Sequence, residues 1–193
     1  MQGRFIVVEG VDGSGKTTII KQAISINNGK LLYGQSFTYG SRWDSFIHAH
    51  PSSLFYYLDI AVKTATDIRP KLMEGSTIIQ DRYVQSVDSF LPDCKWLHNK
   101  AIRKALNPLF LRPDLYIHLA AGLDEIIARL SNDSSTYHET LISNPERIIG
   151  REKKYMEIFE GLDCHKQVIN TGFREPKDCA EELIDAIRRY TGC

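Results

Sequence analysis

This chain of 193 residues has no excess of charge of either sign: 24 lysines and arginines stand against 24 aspartates and glutamates. Without a whole-molecule field it is not built to wrap a nucleic-acid polymer or to settle on an anionic membrane, so any polyanion it binds must be held locally. Long hydrophobic runs are also missing, and none approaches the roughly 20 residues of a membrane-spanning helix. The first apolar segment begins at Phe5, which leaves no space ahead of it for a signal peptide, and a cytoplasmic protein is expected.

Cysteine is sparse and scattered. Cys94, Cys164, Cys179 and Cys193 form no C-x-x-C pair, which excludes a zinc knuckle or a dithiol motif and leaves reduced thiols as the expectation. His48 and His50 are two positions apart but have no third ligand nearby, so they are read as surface residues rather than a metal site. There is no internal repeat, and no stretch rich in Pro, Gly or Ser divides the chain. With roughly 150 residues per domain as a guide, one domain over 1–193 is expected, with room for a small lid.

What is present is concentrated near the start. Phe5 to Val8 is a short apolar, β-branched run of the kind shown by a parallel strand covered on both faces. It leads into Gly10-Val11-Asp12-Gly13-Ser14-Gly15-Lys16-Thr17-Thr18, which fits the Walker A pattern G-x-x-x-x-G-K-[ST] at every fixed position. Gly10, Gly13 and Gly15 let the backbone turn back and aim successive N–H groups at phosphate oxygens. Lys16 adds a point charge for the β- and γ-phosphates of a nucleoside triphosphate. The Thr17 hydroxyl suits a magnesium shell, and the following helix N-terminus adds partial positive charge.

Further along, periodicity alternates strand and helix. A helix is expected from Thr18 to about Ile26, a strand over Lys30 to Phe37, and a loop over Thr38 to Trp43 holding Arg42. A long helix follows from Pro51 to Gly75, bent or interrupted near Pro70, and then a strand at Thr77 to Gln80 that ends in Asp81-Arg82-Tyr83. Cys94 to Leu106 reads as an amphipathic helix, Asp114 to Leu119 as a buried strand, and Leu123 to Leu130 as a helix. His118, inside that strand, reads as a hydrogen-bonded core histidine. Ser131 to His138 is small, polar and aperiodic, as a mobile loop is. Asn144-Pro145-Glu146 opens a helix with Asn144 as its cap, Gln167 to Asn170 is a last strand, and Pro176 to Tyr190 a terminal helix. The order predicts an α/β three-layer sandwich around a parallel sheet.

In such a sheet the carboxyl edge carries the chemistry, so Asp81 and Arg82 should lie beside the phosphate loop. Asp81 would hold magnesium directly or through water, and Arg82 would bridge donor and acceptor phosphates.

Phe5 to Thr18, followed after a strand by Asp81-Arg82-Tyr83-x-x-Ser86 with Ser89-Phe90, resembles thymidylate kinase, a P-loop nucleoside monophosphate kinase. That family's pattern is roughly E-G-x-D-G-x-G-K-[ST]-T, then D-R-Y-x-x-S-x-x-[AS]-[FY]. Arg112-Pro113-Asp114-Leu115 and Tyr155 extend the likeness over most of the chain. The resemblance implies a P-loop nucleotide kinase fold with a small lid near 131–146. It implies an ATP- and magnesium-dependent phosphotransferase that carries dTMP to dTDP, and a homodimer built through the long helices. Lys16, Asp12, Asp81 and Arg82 would be catalytic, and Gly10 to Thr18 would hold ATP. Glu9, Asp12, Arg42, Tyr56, Arg82, Ser86 and Phe90 would face the acceptor, with Tyr56 stacking on its base.

The chain also departs from that pattern. An R-E-P-G-G-T-like segment is replaced by Thr38 to Trp43, where only Arg42 is cationic. The family's arginine four residues beyond Tyr56 is Ile60 here, with Lys63 the nearest cation, and Leu91 replaces a glutamine. No arginine lies inside the phosphate loop or in Ser131 to Thr140. Arg129, Arg147 and Arg151 flank the lid, and Arg147 or Arg151 is preferred for the missing role. A changed acceptor, a deoxynucleoside or another small metabolite, is therefore the first alternative. A nucleotide-driven switch or ATPase is the second, although no N-K-x-D guanine motif is present.

Overall fold

The structure is a computed structural model that describes residues 3–35, 53–89, 96–132 and 135–191. Five strands form one parallel sheet: β1 (Phe5–Glu9), β2 (Leu31–Gln35), β3 (Thr77–Asp81), β4 (Leu115–Ala120) and β5 (His165–Asn170), in the order β2-β3-β1-β4-β5. The flanking helices are α1 (Lys16–Ile26), α2 (Ser53–Lys63), α3 (Arg69–Met73), α4 (Val84–Ser89), α5 (Trp96–Leu106), α6 (Leu123–Ser131), α7 (Thr136–Ile142), α8 (Pro145–Gly161) and α9 (Pro176–Thr191).

Side chains alternate across a strand, and β1 shows what this does. Ile6 and Val8 join a core with Ile19, Ile20 and Ala23 of α1 and Leu183, Ile184 and Ile187 of α9. Phe5 and Val7 point the other way, into a core with Tyr57 and Ile60 of α2 and Val84 and Val87 of α4. A central strand apolar on both faces thus holds a helix layer on each side, giving the expected three-layer α/β sandwich. A third, smaller cluster joins Val11 of the phosphate loop to Ile126, Leu130, Leu141, Ile148 and Tyr155 of α6, α7 and α8.

The register sets the site. Val8 pairs with Asp81 of β3, and Glu9 pairs with His118 of β4. The chain leaves β1 toward β2 on one side and reaches β4 on the other, so the phosphate loop emerges where the strand order reverses.

Several local expectations are revised. α1 starts at Lys16, two residues earlier than expected, because Gly15 (φ 86°) turns the chain directly into the helix. The long helix is interrupted ahead of Pro70, by a π-helical turn over Thr64–Ile68. Thr66 Oγ1 donates to Val62 O at 2.9 Å there, and Pro70 falls in the first turn of α3, where its missing N–H costs nothing. Residues 135–138, expected as loop, are not a plain loop. Ser135 Oγ accepts from His138 N (3.2 Å) and starts α7, whose Leu141 is buried in the third cluster. Asn144 does not cap α8 with its side chain; its Nδ2 donates to Thr140 O at 3.0 Å and closes α7 instead. His118 is fully buried with Nε2 2.7 Å from Glu152 Oε1, as a core histidine. Cys164 and Cys179 are free thiols. The segment 38–43 with Arg42, the pair His48 and His50, Phe90, Leu91, Cys94 and Cys193 lie outside the described residues.

Candidate active site

β1 delivers the chain into the phosphate loop through Gly10, whose φ of 149° and tight surroundings both require glycine: a Cβ there would lie 2.4 Å from Leu119 O. Gly13 and Gly15 also have positive φ (83° and 86°). The Lys16 ammonium lies across the loop, donating to Gly10 O (2.8 Å), Val11 O (2.7 Å) and Ser14 Oγ (3.3 Å). Burial and the neighbouring Arg82 charge pull Lys16 down to about 8. The ammonium is thus held by neutral oxygens that a phosphate can replace.

Thr17, in the first turn of α1, donates to Asp81 Oδ2 at 2.6 Å, and Tyr33 OH of β2 donates to the same oxygen at 3.1 Å. Asp81 Oδ1 is buried without a hydrogen-bond partner. A hydroxyl and a carboxylate with one unused oxygen, beside a phosphate loop, fit a hard divalent cation that takes its other ligands from phosphate and water. Among the described residues no cluster of three or more His, Cys, Asp or Glu offers an all-protein metal cage.

Arg82 follows β3 in a left-handed conformation (φ 65°), its N–H donating to Val8 O at 3.1 Å. Its guanidinium pairs with Asp12 Oδ1, and Nη1 reaches Ser86 Oγ at 3.4 Å. Against burial, which alone would raise it, the charges of Arg82, Lys16 and Arg151 bring the Asp12 carboxyl down to about 2.

Glu9 lies beneath this layer, fully buried. Its Oε1 accepts from Tyr83 N (2.7 Å) and Ser86 N (3.0 Å), and its Oε2 from Ser86 Oγ (2.7 Å) and Tyr155 OH (3.3 Å). Burial, opposed by Arg82 and these hydrogen bonds, pushes its pKa up. Glu9 and Ser86 therefore do not open onto the cleft; they fasten the turn that aims Arg82. Tyr56 is half-buried against the α2 core, while the adjacent Tyr57 is fully buried and donates to Asp88 Oδ1 at 2.5 Å.

The two preferred lid arginines separate. Arg147 is exposed on α8, whereas Arg151, one turn on, is 8% exposed and lies 3.6 Å from Asp12 Oδ2. Arg129 reaches the phosphate loop from α6, donating to Gly13 O (3.2 Å) and to Thr171 O (2.7 Å).

These groups border one cleft of 460 Å³, walled by Asp12, Lys16, Thr17, Arg82 and Arg129 and also by Thr171, Arg174 and Pro176. The last three follow β5 and were missed by sequence reasoning. The available signal was positional: in an all-parallel sheet the segment after β5 exits on the same edge as the phosphate loop.

Residues 45–184 match the family model for thymidylate kinase. The chain belongs to the thymidylate kinase family. It is 29% identical over 145 residues to a probable thymidylate kinase of Caldivirga maquilingensis, covering 66% of this chain and 68% of that one. It is 28% identical over 177 residues to the thymidylate kinase of Francisella tularensis subsp. novicida, covering 82% and 78%. The solved thymidylate kinase of Candida albicans shares the fold, with a TM-score of 0.71 at 18% identity over 97% of this chain and 92% of the other. Ile60, at the place where the resemblance leads one to expect arginine, is 1% exposed in the core, and Lys63 pairs with Asp59 at 2.9 Å.

Proposed function

We propose that this protein transfers the γ-phosphate of ATP to a nucleoside monophosphate, dTMP giving dTDP. The observation that carries the reading is the convergence of Lys16, Thr17 and Arg82 on one cleft, with Asp81 behind Thr17. In this reading the phosphate-loop amides and Lys16 bind the ATP phosphates. Arg82 exchanges Asp12 for the acceptor phosphate and offsets the charge that develops during transfer. Most of the catalysis is then positioning and charge neutralisation in a site from which water is kept out.

Thr17 and Asp81 would hold magnesium, which when bound offsets charge on the phosphates. The short helix α7 and its flanks, 131–146, form the lid in this reading, with Arg151 as its arginine. The cleft wall at Arg129, Arg174 and Pro176 leaves room for the nucleoside part of ATP. Among the described residues no helix is long and apolar enough to cross a membrane, and a cytoplasmic enzyme is proposed. Val62 and Met73, exposed on the α2–α3 rod, support a homodimer through that rod. Light scattering that finds only monomer at micromolar concentration would argue against the dimer.

A second reading is favoured by Ile60 and Lys63. A core isoleucine and an ion-paired lysine leave α2 without a ready cation there, which supports a changed acceptor. The test of both is ADP release with ATP and magnesium against a panel: no acceptor, each nucleoside monophosphate, thymidine and other deoxynucleosides. Stimulation by dTMP alone upholds the first reading. Stimulation by an acceptor lacking phosphate upholds the second.

A further inference from the structure

Tyr137 is the second residue of α7, in a segment whose sequence gives no sign of chemistry. Its side chain is 44% exposed, yet its hydroxyl points inward. That hydroxyl accepts from Arg151 Nη1 at 2.5 Å and donates to Asp12 Oδ2 at 3.2 Å. Arg151 Nη1 and Asp12 Oδ2 are 3.6 Å apart, an ion pair too long for a good direct hydrogen bond, and the phenol hydroxyl forms the third corner of a triangle with them, bonded to both. The other Asp12 oxygen is taken by Arg82. The Arg151 guanidinium also lies 5.9 Å from the centre of the Tyr137 ring.

From this geometry we infer that Tyr137 is a positioning residue, whose hydroxyl bridges the lid to the phosphate loop and keeps Arg151 available for the transferring phosphate. The inference rests on the kinase reading above. Its physical basis is a difference between acceptors. Arg151 is largely withdrawn from water, and in that setting a direct pair with the Asp12 carboxylate is a deep trap. A neutral hydroxyl satisfies the same N–H more weakly and gives it up at less cost when a phosphate arrives. The hydroxyl also offers Asp12 a donor in return, so the carboxylate does not need to draw the guanidinium closer. Removing the hydroxyl lets Asp12 and Arg151 close onto each other. The arginine stays near the site but is withheld from the reaction.

The test is a double-mutant cycle of Tyr137→Phe and Arg151→Gln, read as kcat and KM with ATP, magnesium and dTMP. Tyr137→Phe keeps the ring and removes only the hydroxyl. Its kcat should fall about tenfold, the weight of one hydrogen bond to a charged group, with KM for ATP nearly unchanged. In the Arg151→Gln background the same change should have no further effect, because the tyrosine acts through the arginine. A Tyr137→Phe enzyme with the parent's kcat, or losses that simply add in the double variant, would overturn the inference. A readout independent of turnover accompanies the cycle: hydrogen exchange across 136–142 in the ligand-free protein, which should be faster in Tyr137→Phe than in the parent. Equal exchange also overturns the bridge. If the parent does not phosphorylate dTMP, the kinase reading fails on its own, and hydrogen exchange still decides whether Tyr137 clasps the lid.

Discussion

Thr17 Oγ1 donates to Asp81 Oδ2 across 2.6 Å, tying the first turn of α1 to the last residue of β3 across 64 positions of sequence. The pair forms because β1 and β3 are parallel neighbours, so the loop after one strand and the end of the other leave the sheet at the same edge.

This pairing predicts how magnesium dependence should respond to mutation. Asp81→Asn keeps the hydrogen bond from Thr17 but removes the charge, and should raise the magnesium concentration for half-maximal activity about tenfold or more. A magnesium titration of turnover checks it. An unchanged midpoint would remove Asp81 from the cation site.

Lys16 carries a pH prediction. Its pKa of about 8 in the folded chain lies below the ordinary 10.5. Between those values an unfolded chain holds a proton that the folded chain has released, so this residue's contribution to stability rises with pH across the window. Phosphate binding reverses the effect by favouring the ammonium. ATP binding above pH 8 should therefore take up a proton, measured by calorimetry in two buffers of different ionisation enthalpy. Lys16→Arg, charged throughout, should bind without that uptake. Lys16→Ala should lose transfer by roughly 10²–10³-fold while remaining folded.

Arg82 combines strain with function. Its φ of 65° is unfavourable for any side chain, so Arg82→Gly should be more stable than Arg82→Ala by about 1 kcal/mol in urea unfolding. Both should lose turnover by about 10²-fold or more while still binding ATP. If the alanine variant proved as stable as the glycine variant, the backbone there would not be strained.

Glu9 gives a stability prediction. Glu9→Ala strips the acceptor from two buried N–H groups, Tyr83 and Ser86, and should cost about 3 kcal/mol. Glu9→Gln keeps one oxygen for those amides and should cost clearly less. Denaturant midpoints for the two variants, compared at equal slope, measure the difference.

Much of the site was legible because its signals are local. The glycine spacing at 10, 13 and 15 permits positive φ where the phosphate loop must turn back, and all three have it. The apolar runs at Phe5, Thr77 and Leu115 needed only the strand period to be read. α7 was not legible, because Ser135 looks like a loop residue until its hydroxyl caps a helix and Leu141 finds a core made by α6 and α8. The family resemblance implies that Glu9 faces the acceptor, and only the turn folded over it shows that it is buried. Of the flanking arginines, charge and position gave no means to separate Arg147 from Arg151. The two lie four residues apart on the same face of α8, so distance along the helix separates them: Arg151 is the one that comes abreast of Asp12 and Tyr137.

The residues by themselves determined a Walker A loop, Thr17 and Asp81 as the proposed magnesium ligands, an arginine at a strand end and the alternation of strands and helices. Each of these depends on backbone freedom or periodicity within a few residues. The tertiary structure decided which distant groups meet: Arg82 with Asp12, Tyr137 with Arg151, Glu9 with Tyr155, and Thr171 to Pro176 as a wall of the cleft. Those meetings follow from strand order and helix phase, which are set by burying both faces of one sheet at once, and no short stretch of sequence carries that information.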